Sequence, residues 1–468
     1  MTLLLDKPIK WLAYASLGFL TRILLMRTSK ETLRHRVEIV TPVSDWKRAY
    51  EAIHLWNSGL DPYDGNIFHE YPISLQFYKM VSSCLDVDLV FVSTDILTAL
   101  LLLESIYRQL IRDNEGKEEA EKRSKLVFLF YLFSPLTIIS CAGQSTVIFT
   151  NFLIALILYT LSIRTFRALT CVLCALLACN NIYFSTLILP IFVCMEYSSR
   201  DRKKIGNVDK DSIKTTSTSS ETRPTTHLRN SNHRERDDVK TKDTYEMGSI
   251  HYYSEANFSS SLANSAIICL VSIIAILVTS YILMGNSLHF IYASYLFTLK
   301  VEDLTPNIGI YWYFFTEMFG HFLPFFTCVV QILSFIQVIP LTVILRDRPY
   351  FALYIIALVS TICQPYPSLA NIGLLTSILP QYLDLFNHLY QGLKVLCTCI
   401  TCLCLWPIFW HLWIVMGTAN ANFYFGATLA FMAALIFFTV DLLNAHVYKM
   451  TKIKLDEIEE RKAQSKIK

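Results

Sequence analysis

Glu317 and His321 stand four residues apart at the end of an unusual run, D-L-T-P-N-I-G-I-Y-W-Y-F-F-T-E-M-F-G-H over Asp303–His321. If that stretch is helical the two share one face, and an ionisable pair entering hydrocarbon is costly enough to mark a site. The aromatic block ahead of them, Tyr311–Phe315 with Trp312 and Tyr313, could line a groove for lipid tails. A buried packing stripe is the commoner explanation of such a run. Asp384, His388 and Asp441 raise the same question, since ionisable groups in a lone bundle usually face its interior.

A second set of acids lies near the N-terminus. Asp61-Pro62-Tyr63-Asp64-Gly65, followed by Phe68-His69-Glu70-Tyr71-Pro72, brings Asp61, Asp64 and Glu70 into one polar turn, where a carboxylate can work as a general base. Pro62 and Gly65 account for the turn without chemistry, and the structural explanation is preferred. Asp86-Val87-Asp88 can hold a divalent cation or serve as acid and base, yet a tight link between apolar stretches needs polar residues anyway. Cys397, Cys399, Cys402 and Cys404 lack the paired C-x-x-C knuckles of zinc sites, and on a helix they spread over more than one face. No metal, cofactor or catalytic residue is assigned.

Trp406, Trp410, His411 and Trp413 lead into Gly417-Thr418-Ala419-Asn420-Ala421-Asn422-Phe423-Tyr424. Tryptophans at the end of a span mark the membrane interface. Asn420 and Asn422 then offer uncharged donors and acceptors where helix gives way to loop. Amides at that depth can hydrogen-bond phosphate, inositol or sugar hydroxyls without desolvating a charge. Helix capping by Asn competes with that reading.

The elements that must position these groups follow from composition. Of 468 residues 53% are hydrophobic and only 17% charged, and mean hydropathy is +0.41. Apolar stretches of spanning length recur throughout, so the chain is an all-α polytopic membrane protein. They are Ile9–Met26, Leu89–Ile111, Leu126–Ser140, Val147–Ile163, Ala168–Cys194 and Leu262–Met284, then Phe322–Leu345, Tyr350–Cys363, Leu369–Leu389, Leu393–Met416 and Phe423–Val447. Tyr71–Cys84 is a weaker addition. About ten to twelve helices are expected, several broken or re-entrant, because many stretches are short and prolines interrupt them. The net charge of +3 gives no reason to expect nucleic acid, and the thirteen cysteines, mostly within apolar stretches, do not form a secreted disulfide framework.

Residues 1–197 are expected to hold N-terminal spans with an amphipathic helix at 43–59, lying at the membrane surface or packed on the bundle, with Ser44 able to cap it. Residues 198–256 are rich in Lys, Arg, Asp, Glu, Ser and Thr and are expected to be a disordered loop. C-terminal spans occupy 257–448, and 449–468 form a basic cytoplasmic tail. Arg22, Arg27, Lys30, Arg34 and Arg36, read as lying at or past the far end of the first span, conflict with an orientation that places both termini in the cytoplasm.

Several segments together resemble the U-subunit family of GPI transamidase. They are S-D-W-K-R-A-Y-E (Ser44–Glu51), D-P-Y-D-G-N-I-F-H-E-Y-P (Asp61–Pro72), D-L-T-P-N-I-G-I-Y-W-Y-F-F-T-E-M-F (Asp303–Phe319), F-N-H-L-Y (Phe386–Tyr390) and W-P-I-F-W-H-L-W-I with G-T-A-N-A-N-F-Y (Trp406–Tyr424). The resemblance runs nearly end to end, omitting 198–256. It implies a GT-C-like arrangement of helices and a non-catalytic subunit in the endoplasmic reticulum membrane. Such a subunit recognises the GPI lipid anchor, the C-terminal attachment signal of the precursor, or both. The implied partners are a caspase-like catalytic K subunit, the T and S subunits, a metallopeptidase-like attachment subunit, the GPI glycolipid, the signal peptide and membrane lipids. The family's anchor-contacting A-N-x-N-F motif falls on Asn420 and Asn422. Trp312, Tyr313, Glu317, His321, Asn387 and His388 are candidate groove or partner contacts.

Two other functions compete. A dolichol-phosphate-mannose-dependent mannosyltransferase of the GT-C type needs a first-loop acid. Its relatives carry D-x-D there, whereas this chain has the single Asp45 in Thr41-Pro42-Val43-Ser44-Asp45, with Asp61 further on. A transporter would suit broken helices, but no inverted repeat is visible.

Overall fold

The computed structural model describes residues 3–6, 8–197 and 260–467. The hydrophilic segment 198–256 lies outside the described residues. Helix α1 (Pro8–Arg34) is followed by α2 (Trp46–Asn57), α3 (Pro72–Cys84), α4 (Val87–Arg112), α5 (Lys117–Phe133), α6 (Pro135–Ala142), α7 (Val147–Ser162), α8 (Arg167–Asn180) and α9 (Ile182–Tyr197). The second half holds α10 (Ser260–Leu283), α11 (Tyr311–Thr316), α12 (Leu323–Ile344), α13 (Pro349–Cys363), α14 (Leu369–Ile378), α15 (Gly392–Val415) and α16 (Ala421–Ile467). Among the described residues there are no strands. The protein is an all-α polytopic membrane protein.

Among the described residues six helices, α1, α4, α10, α12, α15 and α16, are long and apolar enough to cross a membrane, and α5 with α6 makes a seventh if the pair, bent by 42°, is one span. Four shorter apolar helices of 10–17 residues, α7, α8, α9 and α13, accompany them. Breaks fall where local chemistry demands them. Pro135 opens α6 because its ring cannot continue α5. Asn181 leaves the helical region at φ −142° and its side chain caps Tyr183 N at 3.0 Å. The stretch expected as one span at Ala168–Cys194 is therefore two helices. Pro380 likewise turns Leu379–Tyr382 into a 3-10 segment, ending α14 well before Leu389. At the other extreme α16 runs unbroken to Ile467, through the boundary expected at 448.

Helices α1, α4, α5, α6 and α7 share one core, in which Trp11 meets Phe128 edge-on at 5.6 Å. Helix α2 packs onto this core. Trp46 is buried against Tyr78 and Phe91, each at 5.4 Å, so this face of the helix is packed on the bundle. Asp45, not Ser44, caps α2, accepting from Lys47 N at 2.8 Å. Helices α10, α12 and α15 bury at most 17% of their apolar windows, leaving broad apolar faces for lipid or partner chains.

Arg22 does not stand at a membrane face. It lies inside α1, fully buried, with Nε 2.6 Å from Asp95 Oδ2, and Nη1 donates to Leu132 O at 2.8 Å and to Gly18 O at 3.2 Å. Tyr131 donates its hydroxyl to Asp95 Oδ1 at 2.6 Å. A charge so enclosed carries no information about orientation. Lys30 is also engaged, with Asp88 at 2.6 Å, and Arg36 with Glu38 at 2.9 Å.

Candidate functional site

Residues 303–310 approach α11 through a chain of side-chain caps. Asp303 Oδ1 accepts from Thr305 N at 2.8 Å and Asn307 Oδ1 from Gly309 N at 2.6 Å. A Cβ at Gly309 would lie 2.9 Å from Pro365 O and 2.8 Å from Pro367 Cδ, so only glycine admits this close approach to the 365–367 turn. Helix α11 is thereby seated against the end of α15. That helix contains Pro407, passes into a π-turn at His411–Val415 and stops at Gly417, whose φ is +62°. Leu412 O then accepts from Thr418 N at 2.9 Å and Ala419 N at 3.2 Å, which turns the chain back into α16.

The two segments meet as an aromatic cluster with an amide edge. Trp312 is buried between Trp413 (6.3 Å, near-parallel), Tyr424 (6.2 Å) and Phe425 (6.0 Å, edge-on), while Tyr313 stacks on Phe425 at 4.4 Å. The Tyr313 hydroxyl donates to Asn422 Oδ1. Asn420 Oδ1 accepts from Asn422 N at 3.1 Å, so Asn420 caps α16 as the capping alternative held. Both asparagines are exposed, and capping uses only the oxygen of Asn420. Met416 and Phe423, beside the turn in the chain, are exposed, as are Phe319 and Phe322 beyond the end of α11.

The remaining candidates divide. Helix α11 ends at Thr316, so Glu317 and His321 do not share a helical face; both are exposed, and the His321 ring lies 4.0 Å from Phe322. Their four-residue spacing fails because the chain leaves the helix before the second is reached. Asn387 and His388 lie far along α16 from the asparagines. His388 packs on Tyr448 at 5.2 Å, and Tyr448 is about 39 Å from Asn422 at 1.5 Å rise per residue. They cannot share a headgroup site with the asparagines. Asp441 accepts from Tyr390 N at 3.1 Å and Gln391 N at 2.8 Å, and Asp384 is surrounded by Arg123, Arg348 and Lys449. Nothing in the local pattern marks Phe425 as a member of the cluster; its contacts with Trp312 and Tyr313 show it.

The acids also resolve into structural roles. Asp86 caps α4 through Asp88 N at 2.9 Å, while Asp88 takes Lys30 and Gln144, so the D-x-D is a helix start. Of the four clustered cysteines only Cys402 is buried, Cys399 is half-buried, and Cys397 and Cys404 are exposed on the helix's outer face, so the four do not converge. Asp61, Asp64 and His289 could each offer one ligand atom to a metal, all within 4.8 Å of one another. They lie at the surface, and a 2.9 Å Asp61–His289 hydrogen bond accounts for much of that closeness.

Glu70 is different. It is buried, accepting Tyr78 OH at 2.6 Å and Thr146 Oγ1 at 2.7 Å. Burial outweighs these bonds and pushes its carboxyl up to about 7, from an ordinary 4.5. Between those values the folded chain holds a proton that the unfolded chain releases. Stability therefore falls as pH rises across the window, by about 3 kcal/mol in total. Glu70→Gln is expected to abolish that slope in melts recorded from pH 5 to 8. Superimposable pH profiles for the two proteins would show the assignment wrong. His69 is held low by burial and contributes an opposite slope below about 6.5, common to both proteins.

Comparison with known proteins gives one consistent result. A family model described as GPI transamidase subunit PIG-U matches residues 16–431. The human GPI-anchor transamidase component PIGU is 32% identical over 449 residues, covering 91% of this chain and 90% of the relative. The GPI transamidase component GAB1 of Saccharomyces cerevisiae is 26% identical, covering 89% of each chain, and its Schizosaccharomyces pombe homologue is 25% identical, covering 94% of each.

Proposed function

Because this chain belongs to the PIG-U family of GPI transamidase subunits, we propose that it is a non-catalytic member of that complex whose aromatic and amide groove holds the glycosylphosphatidylinositol anchor. The observation that carries this reading is the junction of α11 with the α15–α16 turn. Two segments about a hundred residues apart are joined there by the Tyr313–Asn422 hydrogen bond and the Trp312–Trp413 stack. Amide N–H groups of Asn420 and Asn422 can donate to inositol hydroxyls or phosphate oxygens without a charge having to be desolvated. The start of α16 adds a partial positive charge suited to phosphate. Exposed Phe319, Phe322 and Phe423 supply an apolar border for the acyl or alkyl chains.

The mannosyltransferase alternative is not favoured. The relatives are named as transamidase components, and Asp45 is engaged as a helix cap. In the proposed assembly the chain sits in the endoplasmic reticulum membrane beside a caspase-like K subunit that supplies the nucleophile, the T and S subunits and a metallopeptidase-like attachment subunit. Purification in gentle detergent tests this. Co-purification of a caspase-like cysteine hydrolase is expected. A chain that migrates alone, or that transfers anchor unaided, overturns the proposal.

A further inference from the structure

A polar cavity lies between the first loop, the α6–α7 junction, the α8–α9 break and the 364–371 turn, lined by none of the aromatic and amide residues of the proposed anchor site. Its free space of about 60 Å³ is several times the minimum that one water requires. Glu70, Tyr183, Gln364, Tyr366 and Asn371 are among its lining residues.

Two of these side chains are unfinished. Gln364 is 3% exposed; its Oε1 accepts from Asn181 Nδ2 at 3.2 Å, but its Nε2 has no partner. Asn371 is 4% exposed and its Oδ1 has no partner. A buried amide donor and a buried amide acceptor left unpaired in one cavity are costly, and folded proteins rarely keep them without a bound group.

We propose that this cavity binds a single neutral polyhydroxylated ring, a sugar or cyclitol. A hydroxyl both donates and accepts, so one ring can satisfy Gln364 Nε2 and Asn371 Oδ1 together. Tyr183 and Tyr366, each stacked on a phenylalanine on one side, add aromatic surface to the lining. No lysine or arginine lines the cavity, which disfavours an anion. The single carboxyl, Glu70, already receives two hydroxyl donors, a poor setting for a metal. Its raised pKa also lowers the charge a neutral ligand must meet.

The inference does not depend on the anchor groove. A free sugar and a lipid-borne glycan share the chemistry, and the experiment separates them. The full-length chain, purified with its companion subunits, is examined by saturation-transfer NMR with methyl α-mannoside, myo-inositol and a glycosylphosphatidylinositol in separate samples. Transfer to ring protons is expected, falling at least fivefold in Gln364→Met and in Asn371→Leu. A response from the free rings marks a soluble ligand, and one from the glycolipid alone marks a lipid-borne glycan. Each variant removes only one partner, so a folding defect in one leaves the other as the test. No transfer from any probe, equal transfer in the variants, or a high-resolution map with ordered waters alone in the cavity overturns the proposal.

Discussion

Arg22→Met alone is expected to cost about 3–5 kcal/mol, because it leaves Asp95 charged, buried and partnered only by the Tyr131 hydroxyl. Both side chains of the pair are fully buried, so neither solvent nor salt can compensate. The Leu132 and Gly18 carbonyls lose a donor at the same time. Asp95→Leu alone should be about as damaging, for it strands the guanidinium. The double variant Arg22→Met with Asp95→Leu should recover much of the loss, since apolar groups of similar volume often replace a buried pair at little net cost. Thermal unfolding of the detergent-purified protein gives the cycle directly. A double variant as unstable as the sum of the two singles would mean the pair is not coupled as the geometry indicates.

Replacing Asn420 and Asn422 together by leucine is expected to lower surface display of anchored proteins at least tenfold, with the chain itself at normal abundance. Two hydrogen bonds to the anchor, each worth about 1 kcal/mol net and more if its partner is left buried and unpaired, suffice for that factor. Asn422→Leu also strips the Tyr313 hydroxyl of its acceptor. Asn420 carries a cap worth about 1 kcal/mol, so its loss alone could act through folding. Asn420→Ser separates the two effects, because serine preserves the cap but lacks the amide donors. Surface display by flow cytometry reads the result. Full display in the serine variant would reduce Asn420 to a cap, and full display in the double leucine variant would remove both residues from the anchor site.

The positions of the helices were largely legible from the residues. Each apolar stretch became helix because hydrocarbon leaves no other way to satisfy the backbone. Pro135 and Pro380 marked real breaks for the same reason. Asn181 was not foreseen as a break, since Asn is tolerated in helices until a local cap offers its backbone an alternative.

What the sequence by itself determined is the membrane class, most spans, the family resemblance and the two motifs that carry the proposed site. Only the tertiary structure decided which polar groups are partners. Arg22 reaches Asp95 across 73 positions, and Tyr313 reaches Asn422 across 109. The same structure separated Asn387 and His388 from the asparagines and ended α11 before Glu317 and His321 could share a face. The physical reason is one of range. Hydropathy and helix-breaking act on neighbouring residues and are written in the local order of the chain, whereas a buried charge or amide finds its partner through packing between helices that the order alone does not specify.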